Sequence, residues 1–366
     1  KQPWRAAAQP GAFRRRPGLW DRRRPRGPGP YEMSRDSIQT GDAVMVRSGS
    51  ADRIVRPLAA AVTTFVVIFA LRAVAAAMPA EGQKTFASPQ AAVAGLIAAV
   101  KADSEAELLA ILGPDSEDLI SSGDPVADKK GRTRFLKAYG NKHRIEEESP
   151  TKAVLHVGAK DYPFPIPMVQ EAGVWHFDTQ AGKEEILNRR IGRNELHTIE
   201  VLQAYTDAQR EYACMKRQAG ASPQFAQKLT SSDGREDGLY WKPMKGEEES
   251  PFGPLIAKAT QEGYASGLDG EAPEPYHGYY FKILKAQGKY ADGGAYNYVV
   301  KGKMILGFAM VAYPAKYGSS GIMTFIVNQE GVIYEKNLGE DTPKAAEMTT
   351  FDPDPSWKKY QEAKEE

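Results

Sequence analysis

The spacing of apolar positions changes several times along the chain, and each change marks an element. Ala92, Leu96, Ala99, Val100 and the apolar residues of 108–112 recur at helical intervals after Ser88-Pro89, an N-cap followed by proline in the first turn. They predict one long amphipathic helix stopped by Gly113-Pro114, followed by helical stretches at 116–120 and 132–139, the last ending at Gly140-Asn141. From 143 the period shortens to two. Strands are expected at 143–148, 152–157, 164–170 and 174–178, separated by turns at Gly158, 163–167 and Ala172-Gly173, as in an antiparallel meander.

Helical spacing returns at 182–187 and again from Asn194, with a break near Gly192. Val201, Tyr205, Ala208, Tyr212 and Met215 then form a single apolar stripe, with Asp207, Arg210, Glu211 and Lys216 on the solvated faces. A loop-rich interval, 220–278, is dense in Gly, Pro, Ser and acids. Strand patterns resume at 278–284, 304–313, 322–327 and 332–336, the last two joined through Asn328-Gln329-Glu330-Gly331 as a tight hairpin. Residues 322–327 are apolar on both faces, which predicts a central strand covered by the helix. Helices followed by strands, twice over, give an α+β fold class in two domains, 86–192 and 194–351, with a C-terminal tail at 352–366.

Ahead of these elements the pattern is different. Residues 1–44 form a disordered basic leader rich in Pro and Arg, without helical or strand periodicity. Arg47, Arg53 and Arg56 then precede an unbroken apolar run at 58–71 (LAAAVTTFVVIFAL) and the small residues Ala75-Ala76-Ala77, the layout of a signal peptide over 45–77. Cleavage near Ala77 places the mature protein in the periplasm or outside the cell. The alternative is an uncleaved inner-membrane anchor, since a helix tolerating Arg72 and continuing to Ala77 just reaches the length of a span. Membrane contact is otherwise not expected.

Composition sharpens this division. The 366 residues are 42% hydrophobic and 26% charged, enough for one or two globular cores. Net charge is +1, but residues 1–77 hold 14 basic and 5 acidic side chains, against 34 and 42 in the remainder. A whole-chain charge of +1 gives no support to a general nucleic-acid surface, and no nucleic-acid partner is expected. The single Cys214 forms no internal disulfide, and its place in a helical pattern favours packing over a reactive thiol. His176 alternates with Trp175 and Phe177, and an exposed histidine is expected there. The prolines at 163–167 favour a protected sheet edge over a pocket wall.

Several strings occur in fixed order: DTQAGKEEILNRRIGRNE (178–195), DGLYW (237–241), YHGYYF (276–281), GFAMVAYP (307–314), YGSSGIMTF (317–325) and DPDPSW (352–357). Through them the chain from about Phe86 onward resembles the Domain of Unknown Function 2950 family, a group of exported bacterial proteins. The resemblance implies export and no established reaction. The helix-then-sheet order of the first domain is similar to nuclear-transport-factor-2-like and cystatin-like domains, which implies a pocket between sheet and helix for a small apolar ligand. One long helix followed by antiparallel strands in the second domain resembles the heads of type IV pilins and pseudopilins, although its helix is polar on most faces.

No metal or nucleotide motif is present, and no cofactor is expected; Asp352-Pro353-Asp354 lacks the remaining ligands of a calcium loop. A hydrolase would need His277 as base, Ser319 or Ser320 as nucleophile and Asp237 as the third member. Gly318-Ser319-Ser320-Gly321 is not a nucleophile elbow, so a turn is the preferred reading. Tyr240, Trp241, Tyr276, Tyr279 and Tyr317 are candidate binding aromatics for an envelope protein or a glycan. The sequence favours a non-enzymatic binding or structural module of the envelope over a hydrolase, with an apolar-ligand carrier as a third reading.

Overall fold

The computed structural model describes residues 79–216, 222–242, 249–264 and 274–361, all within one compact unit. The expected leader and signal segment lie outside the described residues. The fold is α+β: helices with antiparallel sheets.

Ser88 begins α1 (Pro89–Lys101) as expected, its Oγ accepting from Ala91 N–H at 3.1 Å. The helix does not run on to Leu112. Asp103 adopts φ +51°, a left-handed turn that Asp tolerates, and Ser104 caps a second helix, α2 (Glu105–Leu112), by accepting from Glu107 N–H. A 3-10 turn (Pro114–Ser116) leads into the single-turn α3 (Glu117–Ile120). The helix α4 (Pro125–Asn141) starts well before residue 132 because Asp124-Pro125 is a second N-cap and proline pair.

Five strands follow: β1 (His143–Ser149), β2 (Lys152–Val157), β3 (Tyr162–Pro163), β4 (Met168–Glu171) and β5 (Val174–Phe177). The antiparallel order is β1-β2-β4-β5, with β3 on the far end of β2. The strand expected at 164–170 divides because Pro163, Pro165 and Pro167 cannot donate to a ladder. Edge protection describes only β3; Phe164 and Ile166, between the prolines, turn inward, and Ile166 is 1% exposed. His176 is also buried, at 1%, contrary to expectation. Its strand lies between β4 and the backbone of Phe86, and both faces of β5 are covered, so alternation there does not translate into exposure.

The break expected near Gly192 is absent. A single helix, α5 (Thr179–Met215, 37 residues), passes through it, capped by Asp178 at its start. Glycine in a helix costs only about 1 kcal/mol, less than the packing on either side supplies. The boundary drawn between 192 and 194 therefore falls inside a continuous helix, along which two apolar cores are arranged in succession. Leu96, Ile111, Leu155, Met168 and Phe177 belong to the first, with Ile186 packed on it; Leu202, Tyr205, Tyr279, Phe308 and Phe325 belong to the second. Cys214 is exposed rather than packed. It lies two residues beyond Tyr212, about 200° around the helix from the buried stripe.

The interval 220–278 contains a short helix, α6 (Gly253–Gln261), which its Gly- and Pro-rich composition did not announce. The remaining strands are β6 (Tyr279–Leu284), β7 (Ala286–Gln287), β8 (Tyr296–Asn297), β9 (Val299–Val300), β10 (Lys303–Met304), β11 (Ala309–Pro314), β12 (Met323–Asn328), β13 (Ile333–Asn337), β14 (Thr350–Phe351) and β15 (Lys358–Lys359). The larger sheet has the order β15-β13-β12-β11-β6, so the strand expected to be central is central, and α5 packs on β11 and β12. The hairpin at 328–331 closes through Gly331 N–H to the Asn328 carbonyl at 2.9 Å, with Gly331 at φ +79°. Among the described residues no helix is long and apolar enough to cross a membrane.

Candidate functional site

A cavity of about 340 Å³ opens between α1, α2, α4 and the middle of α5. Leu96, Leu108, Ile120, Phe135, Ile166 and Ile186 form its apolar interior. Two helix faces bring the rest. On α4, Ala127, Gly131 and Phe135 recur every four residues and all line the space; on α5, Ile186, Arg190, Asn194 and His197 do the same at intervals of four, four and three. The face is apolar at Ile186 and polar after it; Asn194 is buried, the exposed Arg193 and Arg134 mark the mouth, and Glu262 and His277 also line the space.

The cations at this mouth fall into two kinds. Arg190 donates from Nη1 to the Asp118 carbonyl and from Nη2 to the Leu119 carbonyl, both at 2.6 Å, and reaches Ser319 Oγ at 3.2 Å. Arg132 donates to the Ile120 carbonyl at 3.2 Å and pairs through Nε with Asp103 at 2.6 Å. Together they satisfy the carbonyls that end α3, where positive charge suits the helix terminus. Burial pulls the Arg190 pKa down, while the charges of Asp128 and Asp118 act the other way. Arg134 and Arg193 are different: among the described residues neither has a carboxylate partner. Arg193 is pulled down first by partial burial and then by the charges of Arg134, Arg190 and Arg189.

On the opposite rim, Asp124 is a junction. Buried to 1% exposure, its carboxylate caps α4 at Ala127 N–H (2.9 Å) and accepts from Tyr264 Oη (2.9 Å) and Gly278 N–H (2.8 Å). Burial raises its pKa, opposed by those three hydrogen bonds. Gly278 has φ +77°, and a Cβ there would lie 2.7 Å from Asn194 Nδ2 and 2.9 Å from Ser320 Cβ, so only glycine fits. Next to it, His277 stacks on His197 with ring centroids 4.3 Å apart. Its Nε2 sits 2.9 Å from Glu262 Oε2, at ion-pair distance but off hydrogen-bond alignment, and Glu262 also pairs with Lys130 at 3.2 Å. Burial, followed by the neighbouring His197, pushes the His277 pKa down to about 4 against the pull of Glu262. The imidazole is neutral at pH 7.

The hydrolase candidates are not joined into a relay. Ser320 Oγ closes its own turn, accepting from Lys316 N–H at 2.9 Å and donating to the Lys316 carbonyl at 3.1 Å. Ser319 Oγ donates to the Asp118 carbonyl at 3.0 Å. His277 faces Glu262, and Asp237 is held by Lys228 at 2.8 Å and by Ser232 N–H. Lys228 and Ser232 hold the Asp237 pKa down at about 2. The preferred turn reading of 318–321 agrees with this geometry.

Of the five candidate aromatics, Tyr279 (0% exposed) and Trp241 are core residues, Tyr240 and Tyr276 are half-buried, and only Tyr317 is exposed. Tyr279 donates to the Met323 carbonyl at 2.9 Å and Trp241 packs edge-on to Tyr212. These contacts explain their presence by packing. The carboxylates of Asp352 and Asp354 are likewise engaged, by Tyr290 N–H and by Ser356 N–H.

Sequence reasoning singled out neither the arginines of the mouth nor Asp124 and Gly131. A signal was present: Ile186, Arg190, Arg193, Asn194 and His197 share one helical face, apolar at its start and basic after it. They lie in or beside the string 178–195, and three of the quoted strings converge here. Asn194 Nδ2 donates to the Ser320 carbonyl at 2.8 Å, and Glu195 Oε1 accepts from Ile322 N–H and Met323 N–H, each at 3.0 Å. Gly278 lies against both Asn194 and Ser320. No curated protein and no solved structure matches the chain. Residues 83–360, most of the sequence and all of the elements that build the cavity, match the family described as Protein of unknown function (DUF2950), and the chain belongs to that family.

Proposed function

We propose that this protein is an exported, non-enzymatic binding protein of the bacterial envelope, and that it holds a small ligand with an apolar body in the cavity between α1, α2, α4 and α5. The observation that carries the reading is the cavity itself: about 340 Å³, within the size range of small-molecule sites, with a cluster of apolar side chains beside polar and charged ones in its lining. The separate engagement of His277, Ser319, Ser320 and Asp237 favours binding over hydrolysis. Export rests on the signal-like pattern of 45–77, and a mature N-terminus between Met78 and Glu81 is the expected result of N-terminal sequencing.

Gly131 supplies the test of occupancy. It lines the cavity from a helix, and a Cβ there meets nothing within 4 Å. Gly131→Phe therefore fills the space without a backbone clash and with a better helix former. Calorimetric titration with 1-decanol is expected to show saturable one-to-one binding to the parent and at least tenfold weaker binding to Gly131→Phe. Equal binding by both proteins, or none by either, would overturn the reading.

A further inference from the structure

We infer that the ligand of this cavity is an amphiphile with a carboxylate head, its apolar body held among Leu96, Ile120, Phe135 and Ile166 and its head received between Arg134 and Arg193. The inference rests on the binding reading above and adds the chemistry of the ligand.

Charge is the first argument. Five cations line the cavity (Lys130, Arg132, Arg134, Arg190 and Arg193) against two carboxylates, Asp128 and Glu262. Beyond residue 77 the chain carries 34 basic and 42 acidic side chains, so this concentration runs against its surroundings. The two carboxylates are already engaged: Asp128 accepts from Ser122 N–H at 2.8 Å, and Glu262 lies between Lys130 and His277. Two carboxylates against five cations leave the lining with a positive excess.

The second argument is which donors remain. Arg190 and Arg132 spend their guanidinium groups on the carbonyls of α3 and on Asp103. Arg134 and Arg193 have no such engagement among the described residues, which leaves two planar forks of donors beside an apolar space. The charges of Arg134, Arg190 and Arg189 act against that of Arg193, and an anion placed between Arg134 and Arg193 offsets that repulsion. A guanidinium fork matches a carboxylate with two parallel hydrogen bonds. His277, neutral at pH 7, adds no charge of its own.

Size is the third. Scaled from the ~150 Å³ apolar cavity that admits benzene, this volume takes a body and head of roughly a dozen non-hydrogen atoms. Decanoate is of that size, and 1-decanol and decylammonium differ from it in the head alone.

The test titrates these three probes into the whole mature protein, into an Arg134→Gln/Arg193→Gln variant and into Gly131→Phe. Decanoate is expected to bind the parent at least tenfold more tightly than 1-decanol, with decylammonium weakest. The double variant is expected to lose that preference while keeping its affinity for 1-decanol, and Gly131→Phe to lose both ligands. Arg134 and Arg193 are exposed, and unchanged 1-decanol binding certifies that the variant is folded. Equal affinity of the parent for all three probes would overturn the carboxylate inference and leave the cavity reading standing. A decanoate preference that survives in the double variant would overturn it as well. Failure of every probe to bind, or binding untouched by Gly131→Phe, would overturn the cavity reading and the inference with it.

Discussion

Replacing Asp124 by Ala removes one side chain that three separate segments share. The carboxylate caps α4, receives the Tyr264 hydroxyl and receives the Gly278 amide, all in a setting that is 1% exposed. Loss of an N-cap costs about 1 kcal/mol. Each buried donor left without an acceptor costs roughly 1–3 kcal/mol, and two are orphaned. Against this stands relief from keeping a charged carboxylate buried, the effect that raises the Asp124 pKa. The balance is a loss of about 3–4 kcal/mol, a large share of the ~5–15 kcal/mol that typical domains possess. Asp124→Asn discriminates the causes: its amide oxygen can still cap Ala127, but its NH2 group cannot accept from Gly278 N–H, so only about 1 kcal/mol is expected to return. Urea unfolding followed by tryptophan fluorescence measures both, and with a slope near ~3 kcal/mol/M the Asp124→Ala midpoint falls by about 1 M. A midpoint within 0.3 M of the parent (~1 kcal/mol at that slope), or complete rescue by Asn, would refute the reasoning.

Two glycines on α5 are expected to respond to alanine in opposite directions. At Gly182 a Cβ would fall 2.6 Å from the Pro165 carbonyl carbon and 2.8 Å from Ile166 N, a backbone clash whose cost of ~1–3 kcal/mol exceeds the gain in helix propensity. At Gly192 nothing lies within 4 Å, and Gly192→Ala is expected to stabilise the protein by about 0.5–1 kcal/mol; a destabilisation there would mean that α5 is not continuous. A third expectation concerns acid. Because His277 has its pKa lowered from 6.5 to about 4, the unfolded chain takes up the proton first as pH falls, so stability drops between pH 6.5 and 4 and levels off below, by at most about 3 kcal/mol. His197, Glu262, Lys130 and Lys258 face this group and set its value. His277→Asn, which tolerates the φ of +50° at this position, is expected to flatten that part of the profile; equal slopes for parent and variant in urea midpoints at pH 7 and 4.5 would contradict it.

The local signals that carried furthest were those with a backbone cause. Ser88-Pro89 opened its helix, the glycine at 331 closed its hairpin, and the two-sided apolar strand expected at 322–327 took the centre of the larger sheet as β12. Where local chemistry competed with packing, packing prevailed. Gly192 did not break α5, and Trp241 and Tyr279, read as binding aromatics, lie in the core. Asp103 shows the reverse, a left-handed turn hidden in a helical pattern because apolar spacing does not register a change of direction. The site was the least legible. Arg190 and Arg193 carried no assignment of their own in the helical pattern, and only the approach of α3 and α4 converts that face into part of the cavity wall.

The most direct test of the account is where a carboxylate amphiphile contacts the protein. Methyl-labelled spectra recorded during a decanoate titration report it residue by residue. The expected result is saturable shifts at Leu96, Leu108, Ile120, Ile166 and Ile186 in the parent, absent from Gly131→Phe. Shifts that leave these methyls unmoved while decanoate binds elsewhere would contradict it.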